Sequence, residues 1–260
     1  MSFDLERGQW TDDSSMALCL ADSLLARNGY HGGDCRVRYH LWWYCGYNNA
    51  FRWDLRRAYR GSVGLGGNIS KSLDDLKQYR GVCSASDVPE VFRATGEDSG
   101  NGSMMRLAPV PIRYSRDVVS AMAMAARQSY GTHPGADAAV CCTFMAFFIS
   151  RAIHRTSSSP STIDTFLDVV VAEFLTDVNP PHAKIMALLR CAPPSPREAN
   201  WDWKQPRLAM EEALRARGNQ YNGHPVSAGY FGAYCMDGLA MALWAIKHST
   251  SLSECCCSRR

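Results

Sequence analysis

The sequence lacks any strong bias of charge, with 28 Lys and Arg against 25 Asp and Glu and a net charge of +3. So even a balance gives no basic field to attract nucleic acid or an anionic membrane, and neither is expected as a partner. It has no Cys-x-x-Cys pair, which removes the zinc ribbon. Its 11 cysteines are odd in number and irregularly spaced, which argues against a disulfide framework. Cys19, Cys141, Cys142 and Cys235 fall instead within apolar helical patterns, where cysteine packs as a small hydrophobe. A reducing compartment follows. The triplet Cys255-Cys256-Cys257 has no His or second Cys pair nearby, and residues 255–260 read as an unstructured tail. No cationic region followed by an apolar stretch opens the chain: Asp4 and Glu6 stand where a signal peptide would not carry acids. The longest apolar run, Ala136 to Ile149, is broken by Asp137 and Thr143 and falls short of a bilayer span. These absences lead to the expectation of a soluble, cytoplasmic protein.

What is present is hydrophobic content of 46%, enough for a sizeable core, arranged almost everywhere at helical spacing. The periodicity predicts helices over Asp12–Asn28, Asp34–Cys45, Asn68–Gln78, Asp117–Tyr130, Ala136–His154, Thr162–Leu175, Arg207–Arg217 and Tyr230–Lys247. Ala136–His154 is apolar nearly all round and should be a central buried helix. No sustained period-two alternation marks a strand. Thr156–Ser161 reads as a serine-rich loop. Cys191–Pro206, with four prolines and two tryptophans, reads as a long surface loop rather than a domain boundary. The expectation is an all-α fold in one domain over residues 1–254.

Four short clusters carry chemical potential. Thr11-Asp12-Asp13 opens the first helix with a hydroxyl and two carboxylates, hard oxygen donors of the kind Mg²⁺ or Ca²⁺ prefers. The same residues also suit a helix N-cap, although a cap needs only one of them. Ser99-Gly100-Asn101-Gly102 lets the backbone approach a ligand closely and offer N–H groups to a phosphate, or it simply turns before a helix. Thr132-His133-Pro134 lies between two apolar helices, where His133 can either bond a ligand or close the turn. The loop Gly64-Leu65-Gly66-Gly67 is too generic to specify a role alone.

Taken in order, Gly8-Gln9-Trp10-Thr11-Asp12-Asp13-Ser14-Ser15-Met16, Gly100-Asn101-Gly102-Ser103-Met104-Met105-Arg106 and Thr132-His133-Pro134 strongly resemble the ADP-ribosylglycohydrolase family. The segment from Gly229-Tyr230 through Trp244-Ala245 resembles that family's last core helix. The resemblance implies a multi-helix orthogonal bundle with two Mg²⁺ ions in a central metal-binding cleft. It implies Mg²⁺-dependent hydrolysis of the bond between ADP-ribose and an acceptor, either a protein side chain or a small molecule. By the same resemblance Thr11, Asp12 and Asp13 are metal ligands, with Asp12 and Asp13 catalytic. Ser99, Gly100, Asn101 and Gly102 shape the ligand loop, His133 contacts ADP-ribose, and Gly66 and Gly67 lie against its phosphates. The partner implied is ADP-ribose or an ADP-ribosylated protein.

The chain departs from the family in two places. The earlier helix with a Gly-Asp-Ala-Leu-Gly-like motif does not precede Trp10, and no Gly-Asp-x-Asp-Thr follows Trp244. Truncation at both ends is therefore expected, with half the metal carboxylates missing, weak Mg²⁺ binding and little hydrolysis. The alternative is a catalytically inactive relative that binds ADP-ribose or serves a structural, crystallin-like role. A helical scaffold without a ligand is the third reading.

Overall fold

In the computed structural model, eleven α-helices are found among the described residues: 4–56, 61–79, 85–94, 98–156, 162–179, 182–221, 224–225 and 231–249. The Cys255–Cys257 tail, the Gly229-Tyr230 segment and most of the serine-rich loop lie outside them. The all-α reading holds. The β structure among the described residues is one two-residue antiparallel ladder, Gln220–Tyr221 against His224–Pro225.

The chain forms two compact units, Met1–Ile153 and His154–Arg260. The first contains α1 (Asp12–Ala26), α2 (Gly32–Cys45), α3 (Gly67–Asp75), α4 (Gly102–Met105), α5 (Pro109–Arg113), α6 (Val118–Tyr130) and α7 (Ala136–Ile153). Sequence explains their limits. His31 caps α2 by accepting a hydrogen bond from the Asp34 backbone N–H at 3.1 Å, and Gly46 ends that helix at φ +72°. Asp117 caps α6 through the Ser120 N–H at 3.0 Å. Met16, Leu20 and Leu24 from α1 meet Tyr39 and Trp42 of α2, Ile69 and Leu73 of α3, and Cys142 and Ala146 of α7 in one core. Burial of this kind, at about 25 cal/mol for each Å² of apolar surface, is what sets the helices against one another. Cys19, Cys141, Cys142 and Cys235 are buried, as their apolar surroundings predict.

Helix α7 runs 18 residues, four beyond the apolar run to Ile149. By length and composition alone it could cross a membrane, but half of that window is buried inside the protein. It packs against α4, α5 and α6 as the central helix of its unit.

The second unit holds α8 (Ile163–Glu173), α9 (Ala183–Leu189), α10 (Met210–Ala216) and α11 (Cys235–His248). Here the structure corrects the surface-loop reading of Cys191–Pro206. Pro196–Trp201 forms a 3-10 turn, and both Trp201 and Trp203 are buried. Each indole N–H finds an acceptor: Asp237 Oδ1 at 3.2 Å for Trp201 and the Leu188 carbonyl at 3.0 Å for Trp203. Two large aromatic rings with satisfied N–H groups stabilise a proline-rich segment in a core that backbone pattern alone does not reveal.

Candidate functional site

Thr11 is the N-cap of α1, in extended backbone, but its side chain makes no capping bond. It turns instead to the Asp12 carboxylate, which also accepts from the backbone N–H groups of Asp12 and Asp13. Asp12 is half-buried and Asp13 exposed. Burial, followed by the charge of Asp13, raises the Asp12 carboxyl to about 6 despite those hydrogen bonds.

Gly64 lies directly against this carboxylate. A Cβ placed on Gly64 would sit 2.2 Å from Asp12 Oδ1, and the residue adopts φ +92°. Both the conformation and the close approach require glycine. Gly64→Ala is therefore expected to destabilise the protein by about 2 kcal/mol and to displace Asp12. Gly66→Ala should be neutral or slightly stabilising, because Gly66 has φ −76° and open space around a Cβ. Urea denaturation of the two variants checks the contrast.

From Gly64 the chain runs through Gly66, the exposed N-cap of α3, and Gly67 to Asn68. Asn68 Nδ2 lies 3.2 Å from the Cβ position of Gly100. His133 approaches the same loop from below: its Nε2 is 3.4 Å from the Gly100 Cβ position and 3.1 Å from that of Gly102. Ser99 is buried, with its hydroxyl in the space that a side chain at Gly135 would need. The Gly135 N–H donates to the Asp98 carbonyl at 3.2 Å, which fastens the loop to the turn that carries His133. Asn101 is the N-cap of the short helix α4.

Four clusters scattered over 120 residues of sequence are thus joined by a continuous run of neighbours within the first unit. Asp12 meets Gly64, Gly64 leads to Gly66, Gly67 and Asn68, and Asn68 meets Gly100, which overlies His133. Among the described residues nothing lies within 4 Å of the Cβ positions of Gly66 and Gly67.

His133 is more deeply placed than a loop histidine suggests, with 2% of its surface exposed. Burial and the nearby Arg106 charge push it down to about 3, so the ring is neutral at physiological pH. It reaches the loop by its Nε2 edge. Asn68 carries the clearest contribution that the sequence reading missed. Its one sequence signal is its place directly after the glycine loop.

Among the described residues, no group of three or more His, Cys, Asp and Glu side chains comes together to hold a metal. The metal-binding cleft that the resemblance implies is therefore not shown among the described residues, and Thr11, Asp12 and Asp13 are the residues expected to hold a metal. Their chemistry fits Mg²⁺: one hydroxyl and two carboxylates, with a half-buried acid whose ionisation a bound cation would favour. The second carboxylate set that the resemblance implies is not found among the described residues. A surface hollow at Ile112–Asp117 involves none of the site residues.

The family model described as ADP-ribosylglycohydrolase matches residues 2–258. The chain belongs to the ADP-ribosylglycohydrolase family. Because the match to the ADP-ribosylglycohydrolase model runs across nearly the whole chain, it does not show the truncation expected from the absent motifs. An ADP-ribosylarginine hydrolase Tri1 of Serratia proteamaculans is 26% identical over 60% of this chain and 38% of its own length. The Tri1 protein of Pseudomonas putida is 28% identical over 58% of this chain and 37% of its own. The Escherichia coli protein YegU is 34% identical over 59% of this chain and 40% of its own. The matches thus span under two fifths of the length of the two Tri1 relatives. A solved ADP-ribosylglycohydrolase-related protein complex matches with TM-score 0.57 at 23% identity, covering 96% of this chain and 64% of that one, which supports the fold.

Proposed function

We propose that this chain hydrolyses the bond between the C1″ carbon of ADP-ribose and an acceptor side chain on a protein, in a reaction that depends on Mg²⁺. The observation that carries this reading is the run of neighbours that links Asp12 to Gly64, the Gly64–Asn68 segment to the Ser99–Gly102 loop, and that loop to His133. The names of the two Tri1 relatives favour arginine as the acceptor.

In this reading Thr11, Asp12 and Asp13 hold the metal at the mouth of α1. Mg²⁺, when bound, supplies orientation of the ribose hydroxyls and a water, and stabilises the charge that develops as the glycosidic bond breaks. Asp12 and Asp13 keep that water and the ribose in register. The open backbone at Gly66 and Gly67 admits the phosphates without a side chain in the way. The Ser99–Gly102 loop lines the ligand, and His133 donates to it from beneath.

The test is calorimetric titration with ADP-ribose in Mg²⁺ and again in EDTA. The expected result is binding that weakens about tenfold or more without Mg²⁺ and that is lost in Gly102→Val, whose side chain would occupy the space of the His133 ring. Binding of equal strength in EDTA would favour a metal-free ADP-ribose-binding protein. No binding in either buffer would leave the helical scaffold.

A further inference from the structure

Arg106 is fully buried, and among the described residues its guanidinium has no carboxylate as a hydrogen-bond partner. Nε donates to Gln128 Oε1 at 3.0 Å. Nη2 donates to the Gln128 carbonyl at 2.9 Å and to Thr132 Oγ1 at 2.8 Å. The face of the guanidinium lies 4.6 Å from the Tyr39 ring centroid. Holding a permanent cation in a dry interior on neutral partners is costly, and arginine cannot escape by losing its proton. Packing alone would be served by an apolar side chain at that place.

The arrangement has a direction. Arginine only donates, so Thr132 Oγ1 accepts from it. The Thr132 oxygen is also 2.8 Å from His133 Nδ1. The Thr132 hydroxyl keeps one hydrogen of its own to place, and among the described residues Nδ1 is the acceptor within its reach, so the buried hydroxyl donates and Nδ1 accepts. A neutral imidazole whose Nδ1 accepts carries its proton on Nε2. Nε2 is the nitrogen that faces Gly100 and Gly102. Gln128 also holds the first turn of α4, its Nε2 donating to the Ser103 carbonyl at 2.9 Å.

We propose that Arg106 is a positioning residue: through the Thr132 hydroxyl it fixes His133 as the Nε2–H tautomer, an obligate donor to an acceptor oxygen of the ligand at the Gly100–Gly102 loop. The inference rests on the reading of that loop as the ADP-ribose site. Arg106 itself touches no ligand. Reversing the tautomer would turn a lone pair toward the ligand's oxygen and convert attraction into repulsion.

Long-range ¹H–¹⁵N correlation spectra of the ligand-free protein read the tautomer directly, with the His133 signals identified by their loss in His133→Ala. ADP-ribose affinity is then measured by calorimetry on the same samples. Arg106→Ala risks unfolding, so the variants are Thr132→Val and its rescue partner Thr132→Ser. The expected result is a proton on Nε2 in the wild type and a population of Nδ1–H in Thr132→Val. ADP-ribose affinity should fall about tenfold in Thr132→Val, with both properties restored in Thr132→Ser. A wild-type proton on Nδ1 overturns the inference, as does a Thr132→Val variant with unchanged tautomer and affinity. If His133→Ala binds ADP-ribose as tightly as the wild type while the wild-type ring is Nε2–H, the ligand role of His133 fails and the tautomer assignment stands.

Discussion

Asp12→Asn is expected to melt at a higher temperature than the wild type in metal-free buffer at pH 7.5, and to lose hydrolysis by a factor on the order of a hundred or more. The two effects share one cause. Folding raises the Asp12 carboxyl from the usual value near 3.8 to about 6, so the native state holds its proton more tightly than the unfolded chain. Between those values stability falls as pH rises, and above pH 6 the folded protein carries the full cost of a buried carboxylate beside Asp13. Asparagine removes that cost. The gain should therefore be largest at pH 7–8, shrink through pH 6 to 4, and vanish below about pH 3.8. Mg²⁺ should stabilise the wild type at pH 7.5 and do so weakly at pH 5, where Asp12 is protonated, and should not stabilise Asp12→Asn. Thermal melts over that pH range, with Mg²⁺ and with EDTA, check each sign. A variant no more stable than the wild type at pH 7.5 would mean that the Asp12 charge is not held at a cost.

Asp237→Ala should destabilise the second unit by about 3–5 kcal/mol. Asp237 is buried and accepts from both Arg217 terminal nitrogens, at 2.8 and 3.1 Å, from Asn200 Nδ2 at 2.8 Å and from Trp201 Nε1 at 3.2 Å. Alanine leaves a buried guanidinium without its carboxylate and two further donors without an acceptor. The cost comes from those stranded groups more than from the lost attraction, so the double variant Asp237→Ala/Arg217→Ala should fall well short of the sum of the single variants. Urea denaturation of the four proteins in the cycle measures the difference. Additive losses would show that the pair is not coupled.

Helix positions were legible from sequence because apolar side chains recur at helical spacing, as Met16, Leu20 and Leu24 do in α1. Helices α4 and α5, of four and five residues, were not, because so few residues hold no period, and α9 was missed although α10, equally short, was read. The burial of Trp201 and Trp203 was also hidden. Prolines signal irregular backbone, but irregular backbone is not the same as exposed backbone when its side chains are large and apolar. At the site, the residue types at Thr11–Asp13, Ser99–Gly102 and His133 announced chemistry. Their assembly depends on contacts no local pattern encodes: Gly64 against Asp12, and Asn68 against Gly100. Gln128 illustrates the limit. It is a polar residue on an alanine-rich helix, and nothing in its neighbours in sequence reveals that it braces both Arg106 and the Ser103 carbonyl.

The central claim is Mg²⁺-dependent removal of ADP-ribose from a protein acceptor. The most direct measurement is release of ADP-ribose from an ADP-ribosylarginine-bearing protein by the purified chain, followed with Mg²⁺, with EDTA and in Asp12→Asn. Release is expected in Mg²⁺ and is expected to stop in EDTA and in the variant. Tight ADP-ribose binding without release in any of the three would contradict that claim and make the protein a binder of ADP-ribose.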